Sequence, residues 1–297
     1  MTKYVLITAA RNEEVNIERT IRSVLSQTVL PKKWMIVSDG STDSTDAIVK
    51  KYVTDYPWIE LLQMQPHRDR NFAAKAICFN EGYQKVKQLQ FDVIGNLDAD
   101  ISFGSRYFEF LLDKFSETPE MGVAGTPFVE GDFQYDYNYT SIEHVSGACQ
   151  LFRRKCFEEI GGYTLIKGGG IDLVAVTTAR MNGWKTRTFT EMTCSHHRKI
   201  GTGKSGVLTS FFRFGKQDYY LGGHPVWEVF RSLHQMTLKP YAAGGLFLFA
   251  GYFWAFLNRM DRPISKEFVR FRRKEQMQRL RNHFQNRFDM YAKYKFD

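Results

Sequence analysis

The sequence predicts an α/β fold in which a mainly parallel β-sheet is flanked by helices. Over residues 1–100, short apolar runs alternate with longer segments whose apolar side chains recur at helical spacing. This alternation is typical of parallel sheets with right-handed crossover connections. Acidic residues also follow directly after two of the apolar runs, at the strand ends where open α/β sheets bind their ligands.

Four strands and three helices are predicted in this first part of the chain. The apolar runs that predict the strands lie at 4–8, 34–37, 59–64 and 93–97. A helix follows each of the first three runs, and the third helix is predicted over 72–87. Asn12 is predicted to cap the first helix, because its short polar side chain precedes two acids and an amphipathic segment.

Beyond the fourth strand the sequence predicts further elements of the same domain. Helices are predicted over 106–115 and 173–181, and strands over 121–128 and 186–190. The segment 133–139 is rich in Tyr and Asp. It is predicted either to form one wall of a ligand cleft or to be a loop that only packs on the core.

Three acidic residues follow the second and fourth predicted strands. Asp39 comes after the second strand, and Asp98 and Asp100 come after the fourth. Two acids held close together repel each other unless a cation lies between them, and a hard divalent ion with oxygen ligands is the natural cation. A nucleotide across these strand ends would offer its base to Asp39, a ribose hydroxyl to Asp98 and a metal-bound diphosphate to Asp100. The alternative is that these residues only form turns, where Asp is common.

The positive charge of the chain is concentrated in its last 39 residues. The formal net charge is +9, and the segment 259–297 carries 12 Lys and Arg against 5 Asp and Glu, which gives +7 of that total. The rest of the chain is close to neutral, which argues against a basic core that binds nucleic acid. The basic segment is predicted to contact an anionic surface.

The cysteine pattern predicts a reducing compartment. The cysteines form no CxxC pair and no dense disulfide pattern; they are Cys78, Cys149, Cys156 and Cys194. We interpret them as reduced thiols in the cytosol. The first four residues run directly into a strand pattern without separate charged and apolar signal regions, so a cleaved secretion signal is not expected there.

Three ordered motifs resemble the signatures of family 2 glycosyltransferases. They are TAARNEE at 8–14, SDGSTD at 38–43 and NLDAD at 96–100, and the resemblance continues through Gly147-Ala148, Gly161-Gly162-Tyr163 and Ile171-Asp172. It covers roughly residues 3–200, and three motifs in order are far more specific than any one of them. The resemblance implies a GT-A fold, a Rossmann-like mixed sheet that is mainly parallel, and inverting transfer of a sugar from a nucleotide diphosphate.

The resemblance also implies which residues bind the nucleotide-sugar donor. Thr8 and Ala10 would contact the nucleotide through their backbone. Glu13 and Asp39 would hold the base and the ribose, and Lys75 would lie near the diphosphate. The cofactor would be a divalent metal, Mn²⁺ or Mg²⁺.

Asp172 is the candidate general base. It follows three consecutive glycines at 168–170, which allow the backbone to approach a ligand closely. Inverting transfer needs a base that removes the proton from the acceptor hydroxyl. The family pattern usually has Glu-Asp here, and this chain has Ile171 in place of the Glu. The alternative role of Asp172 is to cap the helix that it opens.

Two adjacent histidines, His196 and His197, are candidates to complete the metal site. A late histidine binds the metal or the diphosphate in several GT-A enzymes. Adjacent residues on a strand point to opposite faces, so at most one of the two reaches the ion. His197 is assigned to the metal together with Asp100, and the alternative is a surface pair without a role.

The loop that follows the histidines, 200–206, resembles the end of a P-loop. It lacks the first glycine of that motif, and no apolar strand leads straight into it. An NTPase is therefore rejected, and the loop is predicted to close over the diphosphate.

The chain is predicted to consist of a catalytic domain over 1–225 and a membrane-associating helical region over 226–297. Residues 241–257 carry no charge, but a spanning helix needs about 20 apolar residues. An interfacial or re-entrant hairpin is therefore favoured over a full span, and a buried core helix is the alternative. A basic helix after Pro263 adds a second signal for anionic lipid.

The sequence therefore predicts a metal-dependent glycosyltransferase, peripheral or monotopic on the cytoplasmic face of the membrane. By analogy, its acceptor is a lipid-linked saccharide in surface polysaccharide or glycolipid assembly. One alternative is a nucleotidyltransferase acting on a sugar phosphate, although the glycine-rich loop of that class is missing after the first strand. The other is a non-catalytic membrane-bound scaffold. A homo-oligomer is also left open, because an aromatic patch can contact another subunit as well as lipid.

Overall fold

The computed structural model describes residues 2–65, 72–131, 140–198 and 206–294 of the 297-residue chain. The chain forms two compact units, Met1–Lys199 and Ile200–Asp297. The aromatic segment 133–139 and the predicted loop 200–206, apart from Gly206, lie outside the described residues. The roles predicted for both segments therefore stay predictions.

The described part of the first unit contains two β-sheets. Its described strands are β1 Tyr4–Ala10, β2 Lys33–Ser38, β3 Ile59–Gln63, β4 Val93–Leu97, β5 Ile101–Ser102, β6 Met121–Gly125, β7 Phe128–Val129, β8 Cys149–Arg153, β9 Lys185–Thr188 and β10 Cys194–His196. The larger sheet has the order β3-β2-β1-β4-β8-β6-β9. β8 is antiparallel to both its neighbours, and every other neighbouring pair is parallel.

Helices connect the strands of this mixed sheet. They are α1 Ile17–Leu25, α2 Thr45–Asp55, α3 Phe72–Val86, α4 Tyr107–Glu117, α5 Arg154–Glu159 and α6 Ile171–Met181. The central strands are buried along their whole length, since every residue of β4 is buried and all but one residue of β1 is. Continuous apolar runs of this kind are typical of strands that are covered on both faces. The α/β fold with a mixed, mainly parallel sheet is thus confirmed.

The order of the strands brings three polar strand ends to one edge of the larger sheet. β1 lies between β2 and β4 and is parallel to both, with Ala10 opposite Ser38 and Ile7 opposite Asn96. The chain order of the strands reverses between β1 and β4. In open α/β sheets, this switch point is where ligands bind beyond the carboxyl ends of the strands.

Two details of the first unit differ from the sequence predictions. Asn12 does not cap α1, because the helix begins only at Ile17; Asn12 instead has a left-handed backbone with φ 57° and accepts a hydrogen bond from the Thr42 N–H at 2.8 Å. The predicted strand over 121–128 is divided between β6 in the larger sheet and β7 in the smaller sheet. Gly125, the last residue of β6, packs closely against the backbone carbonyl of Cys149.

The smaller sheet has the order β5-β10-β7. β10 is antiparallel to β5, with His196 opposite Ile101, and parallel to β7, with Ser195 opposite Val129. The His197 N–H also donates to the Asp100 carbonyl at 2.9 Å. This sheet therefore brings the histidine segment next to the acids that follow β4.

The second unit is helical in its described part. It consists of α7 Val207–Tyr220, α8 Pro225–Gln235, α9 Ala242–Leu257 and α10 Lys266–Tyr294. Glycines allow α7 and α9 to pack at backbone distance: a Cβ on Gly215 would lie 2.0 Å from the Leu248 carbonyl oxygen, and one on Gly251 would lie 2.0 Å from the Phe212 carbonyl oxygen. The compact unit that contains α7 and α9 begins at residue 200, and the boundary of the catalytic domain predicted after residue 225 stays a prediction.

α9 is one continuous helix rather than a hairpin. Its buried side contains three glycines together with Leu248, Tyr252 and Ala255. Its other side chains form an exposed apolar face, which consists of Leu246, Phe247, Phe249, Trp254, Phe256 and Leu257. Among the helices that the structure describes, none is both long and apolar enough to cross a bilayer.

The basic helix α10 is not exposed all round. Phe268, Leu280 and Arg272 are buried. The Arg272 guanidinium donates to Asp218 at 2.9 Å and to the Leu221 carbonyl. Arg270, Lys274 and Arg281 are exposed.

Candidate active site

Four acids lie at the switch-point edge of the larger sheet. Asp39 follows β2, Asp98 and Asp100 follow β4, and Glu13 follows β1. Burial is the largest cause that raises the pKa of Glu13, to about 7, and the nearby charges of Asp100 and Asp98 add to the shift. The predicted acids after β2 and β4 and the Glu of the first motif are thus grouped around the ends of neighbouring strands.

Asp39 is held by residues of the turn that follows β1. The Arg11 guanidinium donates to its carboxylate at 3.2 Å, and the Asp39 N–H donates to the Ala10 carbonyl at 2.8 Å. Asp39 is buried. This arrangement fixes the carboxylate at the end of β2, where the sequence places the nucleotide base.

Glu13 is anchored from both sides. Its N–H donates to the Thr45 hydroxyl at 2.7 Å, and its carboxylate lies 2.6 Å from the Arg198 guanidinium. Arg198 also lies 3.9 Å from the Asp100 carboxylate. A single cation therefore bridges two of the acids, and its charge opposes the rise in the pKa of Glu13.

Thr8 and Ala10, which are predicted to contact the nucleotide through their backbone, are part of strand β1. Thr8 is opposite Ile36 in the pairing of β1 with β2, and its hydroxyl accepts a hydrogen bond from the Trp34 indole at 3.0 Å. The Ala10 carbonyl accepts the Asp39 N–H, as described above. Backbone contacts of Thr8 and Ala10 with a nucleotide stay a prediction.

Lys75 on α3 connects the Asp98 carboxylate to the carbonyl of Gly147. Its ammonium forms an ion pair with Asp98 and donates to the Gly147 carbonyl at 3.1 Å. The Asn96 amide donates to the same carbonyl at 2.6 Å. Burial raises the pKa of the Asp98 carboxyl, and the Lys75 charge opposes that rise.

Asp172 contacts the other side of Gly147, at its backbone N–H. The Gly147 N–H donates to the Asp172 carboxylate at 3.3 Å. α6 begins at Ile171 after Gly170, which has φ 87°, so Asp172 lies in the first helical turn and is not the N-cap. Its carboxylate is therefore placed by Gly147 and not by capping of the helix.

Ile171, which replaces the usual acid of the motif, is buried in the first turn of the same helix. An isoleucine is suited to this environment, because an ionised side chain without a partner there would be costly. The missing acid therefore leaves Asp172 as the carboxylate of this motif.

The structure places His196, and not the predicted His197, beside Asp100. The His196 Nε2 lies 3.6 Å from the Asp100 carboxylate, and its Nδ1 lies 3.1 Å from the Glu130 carboxylate. The His197 Nε2 forms a hydrogen bond with the Ser102 hydroxyl at 2.7 Å instead. His196 lies on β10 and His197 just beyond it, and the prediction that at most one of the two reaches the ion stays a prediction.

The chemistry of this group fits a divalent cation. Carboxylate oxygens and a neutral imidazole are ligands of Mn²⁺ and related ions, and Asp100 and His196 supply one of each. Within the described ranges, no three His, Cys, Asp or Glu side chains already converge as a ligand set. Asp100 and His196 are the residues best placed to hold such an ion.

Sequence reasoning missed two residues of this site. Arg198 directly follows the two histidines, and Glu130 directly follows β7. An acid just after a strand was the signal that identified Asp39 and Asp98, and the same signal applies to Glu130. The role of Arg198 carried no such signal, because its contact with Glu13 joins residues far apart in the chain.

Comparison with solved structures supports the fold. The structure of the mannosyltransferase PcManGT from Pyrobaculum calidifontis in complex with GDP-Man and Mn²⁺ matches with a TM-score of 0.59 at 18% identity, over 97% of this chain and 87% of that one. The structure of S. aureus TarS 1–349 with UDP-GlcNAc matches with a TM-score of 0.54 at 13% identity, over 85% and 72% of the two chains.

Curated relatives are similar over a shorter part of the chain. The poly-β-1,6-N-acetyl-D-glucosamine synthase of Staphylococcus epidermidis is 24% identical over 173 residues, which cover 52% of this chain and 40% of the relative. The synthase of Staphylococcus aureus strain COL is 28% identical over 139 residues, or 46% and 32% of the two chains. The chain thus aligns with less than half the length of these relatives.

The family model described as glycosyl transferase family 2 matches residues 5–165. This range is more than half of the chain and contains all three motifs, together with Lys75 and Gly147. Asp172, His196 and Arg198 lie beyond it. The mixed sheet, the acids at its switch point and this match lead to the same conclusion: the chain belongs to glycosyl transferase family 2.

Proposed function

We propose that the protein is an inverting glycosyltransferase that moves a sugar from a nucleotide-diphosphate donor to an acceptor hydroxyl. The observation that carries the proposal is the chain of contacts through Gly147. Its N–H donates to Asp172, and its carbonyl accepts from Lys75, which is paired with Asp98. A candidate base and a candidate donor-binding acid are therefore held on two sides of one residue, Gly147.

In this proposal the protein binds the donor along the ends of β1, β2 and β4. Asp39 accepts a hydrogen bond from the base, Asp98 accepts one from a ribose hydroxyl, and Lys75 lies near the diphosphate. The Glu13 carboxylate, which is paired with Arg198, borders the same site. Carboxylates accept hydrogen bonds from the base and the ribose of a nucleotide, while cations bind its phosphates.

Asp172 acts as the general base. It removes the proton from the acceptor hydroxyl as the oxygen attacks the anomeric carbon opposite the leaving nucleotide diphosphate. The proton passes to the carboxylate, the new glycosidic bond forms, and the bond to the diphosphate breaks. A divalent cation held by Asp100 and His196 would neutralise the charge that develops on the leaving group.

The relatives suggest the class of donor. The named relatives synthesise a polymer of N-acetylglucosamine, and the similar structures hold GDP-Man or UDP-GlcNAc. We propose that this protein uses a hexose or N-acetylhexosamine carried by UDP or GDP. Its product would be part of a surface polysaccharide or glycolipid.

We further propose that residues 1–225 form the catalytic domain and that 226–297 associate with the cytoplasmic face of a membrane. The exposed apolar face of α9 would enter the interface, and exposed cations of α10 would contact anionic headgroups. Lys216 lies over the ring of Trp254 at 4.7 Å and adds a cation next to that face. The acceptor would then be a lipid-linked saccharide.

The test is turnover of a panel of UDP and GDP sugars with Mn²⁺, measured as release of nucleotide diphosphate with and without a membrane lipid extract. Lipid-stimulated release from one donor, absent in Asp172→Asn, is the expected result. Donor binding without release in any condition would reject the enzyme and favour a non-catalytic scaffold.

A further inference from the structure

Helix α3 packs across the larger sheet and reaches its switch-point edge. Lys75, near the start of the helix, forms an ion pair with Asp98, which follows β4. Gly82, two turns further along, packs inside β2, where a Cβ would lie 3.1 Å from the Val37 Cγ2. The helix therefore runs antiparallel to these strands, with its first turns at their carboxyl ends.

This packing places Cys78 next to Asp39. Cys78 lies one helical turn before Gly82 and so belongs to the same face of α3. The Asp39 N–H donates to the Ala10 carbonyl and continues the pairing of β2 with β1, so Asp39 points to the same face of the sheet as Val37. One helical turn advances about 5.4 Å, and two residues of a strand advance about 6.6 Å. One turn back along α3 therefore matches the step from Val37 to Asp39.

The Cys78 thiol donates a hydrogen bond to the Asp39 carboxylate. Cys78 is 1% exposed and Asp39 is 7% exposed, so water competes little for this contact. Burial raises the pKa of the thiol to about 12, and the charge of Asp39 and the hydrogen bond to it add to the shift. The thiol therefore stays protonated at neutral pH, as a donor and not as a nucleophile.

Two donors of different kinds hold the Asp39 carboxylate. The Arg11 guanidinium donates to Oδ2 at 3.2 Å from the turn after β1, and the Cys78 thiol donates from α3. The guanidinium brings a positive charge, whereas the thiol is neutral and restricts only the orientation of the carboxylate. The same helix holds Asp98 through Lys75, so α3 contacts the acids at the ends of β2 and β4.

We infer that Cys78 is a positioning residue whose thiol orients the Asp39 carboxylate toward a ring N–H of the nucleotide base. The inference rests on the proposed function, in which Asp39 accepts a hydrogen bond from the base. Uracil and guanine each carry one such ring N–H. Methylation of that nitrogen removes the donor, so the methylated nucleotides are probes of this contact.

The first measurement is the affinity of the full chain for UDP and GDP, and for the same nucleotides methylated at the ring N–H, by calorimetry with Mn²⁺. For the nucleotide that the wild type binds more tightly, Cys78→Ala is expected to raise the Kd by about 2- to 10-fold. It should leave the Kd of the methylated form unchanged, and Cys78→Ser, which keeps a donor, should restore most of the affinity. An equal loss for both forms would show a merely structural role and refute the inference.

Cys156→Ala is the matched control. Cys156 on α5 is also a buried thiol of the first unit, and it packs beside Gly122 in β6. The control removes a thiol at equal burial and is expected to leave the Kd of both nucleotide forms unchanged. A loss of affinity equal to that of Cys78→Ala would contradict the inference.

The thiol contact is also tested without a nucleotide. The infrared S–H stretching band of Cys78 is the band that disappears in Cys78→Ala, or in Cys78→Ser if thermal unfolding shows that the alanine variant does not fold. We expect this band to move to higher frequency in Asp39→Ala, because the acceptor is removed, and to stay in place in Asp113→Asn. An unshifted band in Asp39→Ala would overturn the inference.

These outcomes are distinguishable from failure of the proposed function. A shifted band and a penalty confined to the unmethylated nucleotide, in a protein that turns over no donor, would uphold the inference and reject the transferase. Donor turnover with an unshifted band would uphold the transferase and reject the role of Cys78.

Discussion

At the scale of single residues, the position of Asp172 leads to a direct prediction. Its carboxylate is fixed by the Gly147 N–H, so the conservative change Asp172→Asn keeps the shape of the site and removes the base. We expect kcat to fall by about 10²- to 10⁴-fold, with donor affinity within about twofold of the wild type because Asp172 makes no predicted donor contact. Steady-state kinetics with the preferred donor and direct binding of its nucleotide diphosphate measure the two effects.

Asp113→Asn, at an exposed acid on α4, is the matched control for that variant and should retain full activity. Full turnover by Asp172→Asn would remove Asp172 from the role of base. A parallel loss of donor binding would instead show that the carboxylate supports the donor site.

Gly147 allows a second test of the same contact. A Cβ there would lie 3.0 Å from the Asp172 Cβ and 3.2 Å from its Oδ2, so Gly147→Ala displaces the base by a few tenths of an ångström. Because small misplacements of reacting groups are costly, we expect kcat to fall by about tenfold. Gly104→Ala, where a Cβ meets nothing within 4 Å, is the control, and equal kcat in both variants would contradict the prediction.

The residues themselves show how much of the site the sequence predicts. Asp39, Asp98 and Asp100 could be predicted because acids after buried strands collect at one edge of a parallel sheet. The choice between His196 and His197 depends on the exact pairing of β10 with β5 and β7, which the sequence does not determine. Arg198 was missed for a related reason, since its contact with Glu13 arises only after the chain has folded.

At the scale of elements, the packing of α7 on α9 depends on two glycines. A Cβ on Gly215 would lie 2.0 Å from the Leu248 carbonyl oxygen, and a backbone carbonyl cannot move aside as a flexible side chain can. We expect Gly215→Ala to destabilise the helical unit by about 1–3 kcal/mol or more. Thermal unfolding followed by circular dichroism measures the effect.

Gly206→Ala serves as the control for α7, because a Cβ there meets nothing within 4 Å. It is expected to change the unfolding temperature little. An unfolding temperature of Gly215→Ala equal to that of Gly206→Ala would mean that α7 and α9 do not pack this closely.

Glu228 on α8 makes the stability of the helical unit depend on pH. It is almost completely buried, and burial raises its pKa from 4.5 to about 8, with Arg272 opposing the shift. Arg231 lies 3.9 Å from it, and Asp218 on α7 forms ion pairs with both arginines. Because the folded state retains the Glu228 proton that the unfolded state releases, stability falls as the pH rises from about 4.5 to about 8.

The variant Glu228→Gln removes this titration. We expect it to unfold at a higher temperature than the wild type at pH 8, with a difference that shrinks as the pH falls toward 4.5. Each kcal/mol corresponds to about 4–8 °C for a unit of this size. Parallel unfolding curves of the two proteins against pH would contradict the raised pKa.

The elements were predicted from the sequence with uneven success. The run at 93–97 forms β4 with the predicted bounds, because the polar residues on both sides of a short apolar run mark the ends of the strand. The run at 121–128 became two strands in different sheets, because a continuous apolar run does not reveal which partner each half has. The start of α1 was misplaced because Asn12 adopts a left-handed turn, which short polar side chains also favour.

At the scale of the whole molecule, the proposed membrane contact leads to a prediction about vesicle binding. We expect the protein to float with vesicles that contain anionic lipid and to be released by salt, since the basic charge is concentrated in 259–297. Leu246→Asp, on the exposed face of α9, should weaken binding by about tenfold or more, because it replaces apolar area that would enter the interface.

Leu30→Asp is the matched control, since Leu30 has a similar exposure in the first unit, 47% against 56% for Leu246. Equal vesicle binding by the two variants would show that α9 does not insert. Binding that salt does not weaken would show that the basic segment contributes little.

The smaller sheet also affects the order in which the molecule is completed during synthesis. All seven described strands of the larger sheet lie before residue 189, whereas β10, the central strand of the smaller sheet, begins only at Cys194. Chains leave the ribosome from the N-terminus, and domains can fold as they emerge. The larger sheet can therefore form before β10 is available to pair with β5 and β7. The nascent protein would therefore gain its larger sheet first and the strand that brings His196 beside Asp100 last.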